Sequence, residues 1–417
     1  MKNRKIMPLI LAFSMCLAGL SGCSQDAANP NNDSGSDDKL TIGIVQHQEH
    51  PALDSAREGF LAKLKELGYD ETKVDFQIKY AQGEASTDDL IAKQFVSDKV
   101  DLIYAIATPA AQSAYNATMD TEVPVIFNAV TDAVEAGIVQ SNEQPGGNVT
   151  GVSDAAPLEA QIKLIREMLP EAKTIGMLYN LGEVNGKIQV DQVKAMAPDY
   201  GFEVKELGVS ATTEIPTAAE QLSGDVDCFY NITDNMVVNA TASVVDKANA
   251  KNLPVFAAED GQMAQGLLAS DSISYYSLGE QAGQMAYDIL INGKAPADIP
   301  VETAKDTTLI LNQKVAKTLG IEVPEDLLKR ASLFEDVYKR QPKISVYARL
   351  LDKHENSAPI HQGGISSQSM TVSFSFIFET DSGMLEFKVN PQVYAAHAVG
   401  EEGRLVYKGK KLLNFER

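Results

Sequence analysis

From Lys39 to about Arg330, short apolar runs alternate with amphipathic stretches. Leu40–Val45 reads as a strand, and Leu53–Leu67 as a helix with apolar residues at helical spacing, stopped by Gly68. Val74–Tyr80 alternates as a strand. Ser86–Val96 is a helix with Asp88 and Asp89 in its first turn, where carboxylates suit the helix dipole. Leu102–Ile106 is apolar and too short for a helix, so it is a buried strand. It stops at Ala107-Thr108-Pro109, where Thr108 can cap a helix whose first position is Pro109. Such a helix start beyond a central strand can hold a small anion. Val123–Phe127 is the next strand, and Asn128–Asp132 is the loop beyond it.

The pattern then resets. Asn148–Val152 is extended, Leu158–Leu169 a helix stopped at Pro170, Thr174–Tyr179 a strand and Val184–Met196 a helix. Phe202–Leu207, Ile215–Leu222, Val226–Tyr230, Asp234–Ala250 and Pro254–Ala257 continue as strand, helix, strand, helix and strand. Ser272–Gly293 reads as one helix led by Tyr275 and Tyr276; Gly279, Ala282, Gly283 and Ala286 let it lie close to a neighbour. Asp306–Leu311, Asn312–Leu319 and Pro324–Arg330 finish the region. Two successive strand–helix runs of similar length predict an α/β fold of two doubly wound lobes, with a single barrel as the competing arrangement.

Charge is unevenly spread. Residues 342–417 carry nine Lys/Arg and eight Asp/Glu, whereas the remainder carries 27 against 49. So acidic a body repels nucleic acid. Cys16, Cys23 and Cys228 are the three cysteines, too few and too scattered for a disulfide framework or a cysteine metal site; Cys228 reads as a core residue. Residues 1–23 follow the secretory plan: Lys2, Arg4 and Lys5 precede the apolar run Ile6–Leu20. The run closes in Leu20-Ser21-Gly22-Cys23, which looks like a bacterial lipobox, so Cys23 is expected to carry lipid at the cell membrane's extracytoplasmic face. Ser24–Asp38 is a polar tether that buries too little apolar area to fold.

Five blocks carry a resemblance: HQEHPALDSAREGF (47–60), DLIYAIATPAAQSA (101–114), VPVIFNAVTDAVEAGIV (123–139), PGGNVTGVSDAAPLEAQIKLI (145–165) and Thr233–Asn235. Residues 39–330 resemble the ABC-type substrate-binding protein family associated with tryptophan and tyrosine uptake. The resemblance implies a type I periplasmic-binding fold with lobe 1 about 39–150 and 272–298, lobe 2 about 151–271 and 299–334, and a ligand gripped between them. It implies an amino acid ligand, often aromatic, and a membrane permease and ATPase as partners, with no cofactor. Two loops depart from the family pattern: Glu183-Val184-Asn185-Gly186, and Ala133 where VTDP is usual. A sensor domain of a signalling system would use the same fold.

An amino acid needs N–H groups or cations for its carboxylate, an acid for its ammonium and a wall for its side chain. Thr108 suits the carboxylate; Asp154, Asp234 and Glu259 are candidates for the ammonium. Asn128, Thr131, Asn180, Asn231 and Asn235 can orient either group. Gln46, His47 and Glu49 follow strand one, and Tyr179, Tyr230, Tyr275 and Tyr276 are candidate walls. Asp154 and Asp234 each precede a helix and could equally be plain N-caps. His47 and His50 lack a third ligand for zinc, and no hydrolase, zinc-protease or nucleotide-loop motif occurs, so binding without catalysis is expected.

After Phe334, Asp336–Gln341 (DVYKRQ) is the translation of GAT GTG TAT AAG AGA CAG, the end sequence of transposase-based sequencing libraries. It is read as an adaptor scar at 335–341 joining two unrelated reading frames. Ile344–Leu351, Met370–Phe378, Leu385–Val389 and Arg404–Tyr407 read as strands, with Phe374, Phe376 and Phe378 on one face. Residues 342–417 resemble the DUF2500 family, a small mainly-β segment without settled function.

Overall fold

The computed structural model describes residues 39–334, 344–359, 370–380, 383–408 and 411–416. The leader, the tether and the DVYKRQ junction lie outside the described residues. The first sheet runs β1 (Leu40–Gln46), β2 (Val74–Tyr80), β3 (Leu102–Ile106), β4 (Val125–Val130) and β5 (Val149–Ser153), in the order β2-β1-β3-β4-β5. Its strand pairs are parallel. Every residue of β3 and β4 is buried, as expected of a sheet covered on both faces. The helices α1 (Pro51–Glu66), α2 (Ala85–Ser97) and α3 (Thr108–Thr118) connect them.

The order recurs in the second sheet. There β6 (Thr174–Asn180), β7 (Glu203–Val209), β8 (Cys228–Asn231), β9 (Val255–Ala257) and β10 (Ala269–Ile273) are arranged β7-β6-β8-β9-β10. β11 (Thr307–Leu311), antiparallel to β10, and β12 (Ser332–Leu333) extend the edge. The connecting helices are α4 (Leu158–Met168), α5 (Val184–Met196), α6 (Ile215–Leu222), α7 (Asn235–Asn239) and α8 (Thr241–Asn249). Each sheet therefore has a switch point, β1/β3 in one and β6/β8 in the other, where the strand order reverses and a crevice opens beyond the carboxyl ends.

The chain crosses between the lobes three times: at 154–157 after β5, at Ser274 after β10, and along 291–306 after α9 (Tyr275–Leu290). α9 belongs with the first lobe, where its buried face joins the core of Ile42, Phe60 and Tyr104. The returning segment pairs with β5 through Glu302, which accepts from Ser153 N–H and donates to the Gly151 carbonyl. The small residues foreseen on α9 set how closely it lies against α1. A Cβ on Gly279 would fall 2.0 Å from the Ala56 carbonyl oxygen, and one on Gly59 2.0 Å from that of Tyr276.

Residues 39–334 form two sheets, as two lobes require, and not the competing barrel. Several elements differ from expectation. Ser272–Gly293 is not one helix: Ala269–Ile273 is a strand whose Ser and Asp residues dilute its apolar signal, and Ser274 caps α9 by accepting from Ser277 N–H. The helix expected over Asp234–Ala250 breaks at Ala240 into α7 and α8. Thr108 is not the cap of α3 but its first residue; the cap is Ala107, at φ +84° and ψ 157°, with no side-chain bond. Asp154 caps nothing, because α4 starts at Leu158 behind Pro157. Asp234 does cap α7, accepting from Val237 N–H at 3.1 Å.

A third, antiparallel sheet follows: β13 (Ile344–Pro359), β14 (Met370–Thr380), β15 (Gly383–Val389), β16 (Glu402–Lys408) and β17 (Lys411–Glu416), ordered β15-β14-β13-β16-β17. Phe376 and Phe378 are fully buried on one face, as the alternation required, with ring centres 5.8 Å apart. A short helix, α10 (Pro391–Ala396), capped by Asn390, was not foreseen.

Candidate functional site

A small, partly open cavity is lined by residues of both lobes. From the first lobe it is lined by His50, Ala52 and Leu53 at the start of α1, by Ala129 at the end of β4, and by Tyr275. From the crossing and the second lobe come Asp154, Asn185, Thr233, Asn235, Val238 and Glu259. No Lys or Arg lines it. Its volume of about 10 Å³ has room for one water.

Asp154 is buried, and Thr131 Oγ1 donates to its Oδ1 at 3.1 Å while Tyr275 hydroxyl donates to its Oδ2 at 2.5 Å. Burial raises its pKa despite both donors. Glu259 follows β9 after Ala258. Its Oε2 accepts from Gly261 N–H at 2.5 Å, and its Oε1 is buried without a partner. Burial first, then the neighbouring Asp260, pushes its pKa up to about 8.

Across the cleft stands a carboxylate–amide network. Glu183 Oε1 accepts from Asn180 Nδ2 at 3.0 Å; its Oε2 accepts from Asn235 Nδ2 at 2.5 Å and Asn185 Nδ2 at 3.3 Å. Asp234 lies beside it, accepting from Asn180 N–H at 2.6 Å, and burial followed by the Glu183 charge holds its pKa well above the ordinary range. Asn235 Oδ1 then meets His50 Nε2 of the first lobe at 3.3 Å. That bond joins the lobes directly. Burial lowers the pKa of His50, so the ring is neutral at pH 7.

The candidates thus separate. Asp154, Asn235 and Glu259 line the cavity; Thr131 and Asn180 bond the Asp154 and Glu183 side chains, and Asp234 holds the backbone of Asn180 and Val237. Gln46 is saturated within the first lobe, donating to Asp54 Oδ1 and the Gln48 carbonyl and accepting from Arg57. His47 Nδ1 pairs with Asp88 at 2.6 Å; burial is the largest influence and opposes its charge, but Asp88 together with the Glu183 and Glu84 charges raises its pKa. Glu49 accepts from Gln82 on a partly exposed loop. Asn128 donates to Tyr104 hydroxyl, and Asn231 donates to Gln262. Thr108 is buried but does not line the cavity. Of the tyrosines, Tyr179 and Tyr230 belong to the second lobe's core and Tyr276 is 41% exposed, leaving Tyr275 on the wall.

Sequence reasoning missed His50, Glu183 and Asn185 as site residues. His50 was weighed only as a metal ligand, and the other two only as a departure from family pattern. Backbone strain is a further signal. Ala107 (φ +84°) and Ala129 (φ +56°) end adjacent strands at the cleft in conformations that favour glycine.

Comparison with known proteins places the fold in a family. Residues 41–334 match the family described as ABC transporter substrate binding protein, and residues 335–416 match DUF2500, a family of unknown function. A tyrosine-binding protein of Clostridioides difficile is 44% identical over 328 residues, 77% of this chain and 94% of that one. An ABC domain from Streptococcus pneumonia in complex with L-Trp gives a TM-score of 0.68 at 36% identity, covering 71% of this chain and 99% of that one. A ligand-free, open structure of a Clostridium difficile substrate binding protein with adhesive properties gives 0.56 at 42% identity, covering 70% and 98%.

Proposed function

The chain belongs to the ABC transporter substrate-binding protein family, and from that premise we propose that it captures an aromatic amino acid, tyrosine or tryptophan, between its lobes. Proteins of this family bind solutes outside the cytoplasm and carry out no reaction. One observation carries the ligand class: a small cavity with Asp154 and Glu259 on its wall and no Lys or Arg to balance them. Such a site favours a cation, and an amino acid brings one. The first-turn N–H groups of α1 at Ala52 and Leu53, which have no partner within a helix, suit its carboxylate. Tyr275, Leu53 and Val238 offer the apolar wall. Capture requires the lobes to part and close again, since the cavity holds only a water.

The lobe arrangement supports a closing receptor. The chain superposes better on the L-Trp complex (TM-score 0.68) than on the ligand-free, open relative (0.56), although the open relative is closer in sequence. The test is direct, because the chain contains no Trp. Titration of the full chain with L-tryptophan, read by the ligand's own fluorescence, and with L-tyrosine by calorimetry should give saturable one-site binding. Absence of binding by both refutes the ligand assignment.

Delivery to a membrane permease and ATPase, and anchoring through lipid on Cys23, complete the reading. Cys23→Ala should move the protein from the membrane fraction to the soluble one. Residues 342–417 stand outside this function: we infer that they are a foreign reading frame joined through DVYKRQ. The two family matches abut at 334 and 335. Amplification across codons 330–345 from source DNA should fail; an intact product of the same sequence overturns the inference.

A further inference from the structure

Three buried polar atoms without a partner belong to residues of the one cavity: His50 Nδ1, Asn185 Oδ1 and Glu259 Oε1. Their roles can be worked out from the bonds around them. Asn185 Nδ2 donates to Glu183 Oε2 and to the Thr233 carbonyl, both acceptors only, which leaves Oδ1 as the free acceptor. Asn235 Nδ2 donates to Glu183 Oε2, which fixes Asn235 Oδ1 as the atom facing His50 Nε2. Nε2 must then carry the hydrogen, and in a neutral ring Nδ1 is a bare acceptor. An ammonium placed beside Oε1 favours the ionised form of Glu259 that burial otherwise opposes, and with it bound the cavity presents three acceptors. A primary ammonium presents three donors and a positive charge.

Resting on the amino acid reading above, we propose that Glu183 is a positioning residue acting across the cleft. By fixing the Asn235 amide it holds His50 as the Nε2–H tautomer, whose Nδ1 accepts from the ligand's ammonium when the lobes are closed. The hydrogen-bond chain that orients this acceptor is also the bond that joins the lobes, so amine capture and closure reinforce each other. A proton on Nδ1 would point a donor at the ammonium and break the arrangement. The groups around His50 are Asp54 of α1, His47 after β1, Glu183 and Asn235 of the second lobe, and Asp154, Glu259 and Tyr275 around the cavity. Binding of an amine should therefore weaken as pH falls below the ordinary histidine range.

The test labels the histidines of the full chain with nitrogen-15 and reads the tautomer by long-range proton–nitrogen correlation, with His50 assigned by its loss in His50→Gln. The Nε2–H form is expected in the wild type, with or without ligand. In Glu183→Ala the tautomers should mix, and L-tyrosine affinity should fall about tenfold or more. Affinity for its des-amino analogue, 3-(4-hydroxyphenyl)propionate, should fall much less, and Glu183→Gln should restore most of the loss. His50→Gln should flatten the decline of L-tyrosine affinity between about pH 7 and 5, where a histidine titrates. A wild-type Nδ1–H tautomer, equal losses for both ligands or an unflattened profile each overturns the proposal. If neither L-tyrosine nor L-tryptophan binds the wild type, the amino acid reading itself fails and takes the ammonium role with it. The wrong tautomer with binding intact sinks the Glu183 role alone.

Discussion

Replacing Glu259 with Gln separates the cost of the cleft from its use. The carboxyl is fully buried, accepts from Gly261 N–H, and is pushed by burial and then by the Asp260 charge up to about 8 from the ordinary 4.5. A carboxyl raised in this way contributes stability fully below about pH 4.5, and that contribution is lost as pH rises through about 8. The gap, at about 1.36 kcal/mol per pH unit, sets an upper bound of about 5 kcal/mol on what the ionised group costs the closed fold at pH 9. Glutamine fills the same space and can accept the same Gly261 bond without charge. Glu259→Gln should therefore leave stability nearly unchanged at pH 5 and raise it at pH 9 by up to several kcal/mol, with Tm rising about 2–4 °C per kcal/mol for a lobe of this size. Thermal melts followed by tyrosine fluorescence at the two pH values measure the difference. A ligand ammonium placed beside Oε1 offsets the same cost, so the Tm gain from L-tyrosine at pH 9 should be smaller in the variant. Equal effects of the substitution at pH 5 and pH 9, or destabilisation at pH 9, would refute the reasoning.

Gly279→Ala should destabilise the first lobe by about 1–3 kcal/mol, because backbone rather than a flexible side chain meets the new methyl. Gly224→Ala, whose nearest neighbour would stand 3.7 Å away, should be near neutral in the same melts. Ala107→Gly should raise resistance to urea by about 1 kcal/mol through relief of its positive φ; a loss would show that the conformation carries no strain. Cys228, buried with its thiol pKa pushed up by burial, should ignore a thiol reagent until the chain unfolds, and prompt labelling of the native protein would contradict that.

The first-lobe strands were legible because burial on both faces writes them as unbroken apolar runs such as Leu102–Ile106. Where that signal weakened, so did the reading. β10 carries Ser270, Asp271 and Ser272, of which both serines are buried and Ser270 Oγ has no partner; a strand with that composition has no apolar run to find. The close approach of α9 could be foreseen from Gly279 and Gly283, since only a missing Cβ permits it. The partner helix could not, because nothing local in Ala56 or Gly59 specifies a contact more than 200 residues away.

The site divides along the same physical line. Asp154 and Glu259 could be nominated because a carboxylate just past a strand end is a recognisable donor-binding group. What makes them a site is the pairing of orientations that only the fold creates. Glu183 matters through Asn235, 52 residues on, and Asn235 matters through His50, 185 residues back. No spacing rule links three residues on two lobes. His47 illustrates the converse: it sits three residues before His50 and is the more conspicuous of the two, yet its ring is committed to Asp88 on α2. Which histidine faces the cavity depends on which one finds a partner within its own lobe. His47 does, and His50 reaches across the cleft instead.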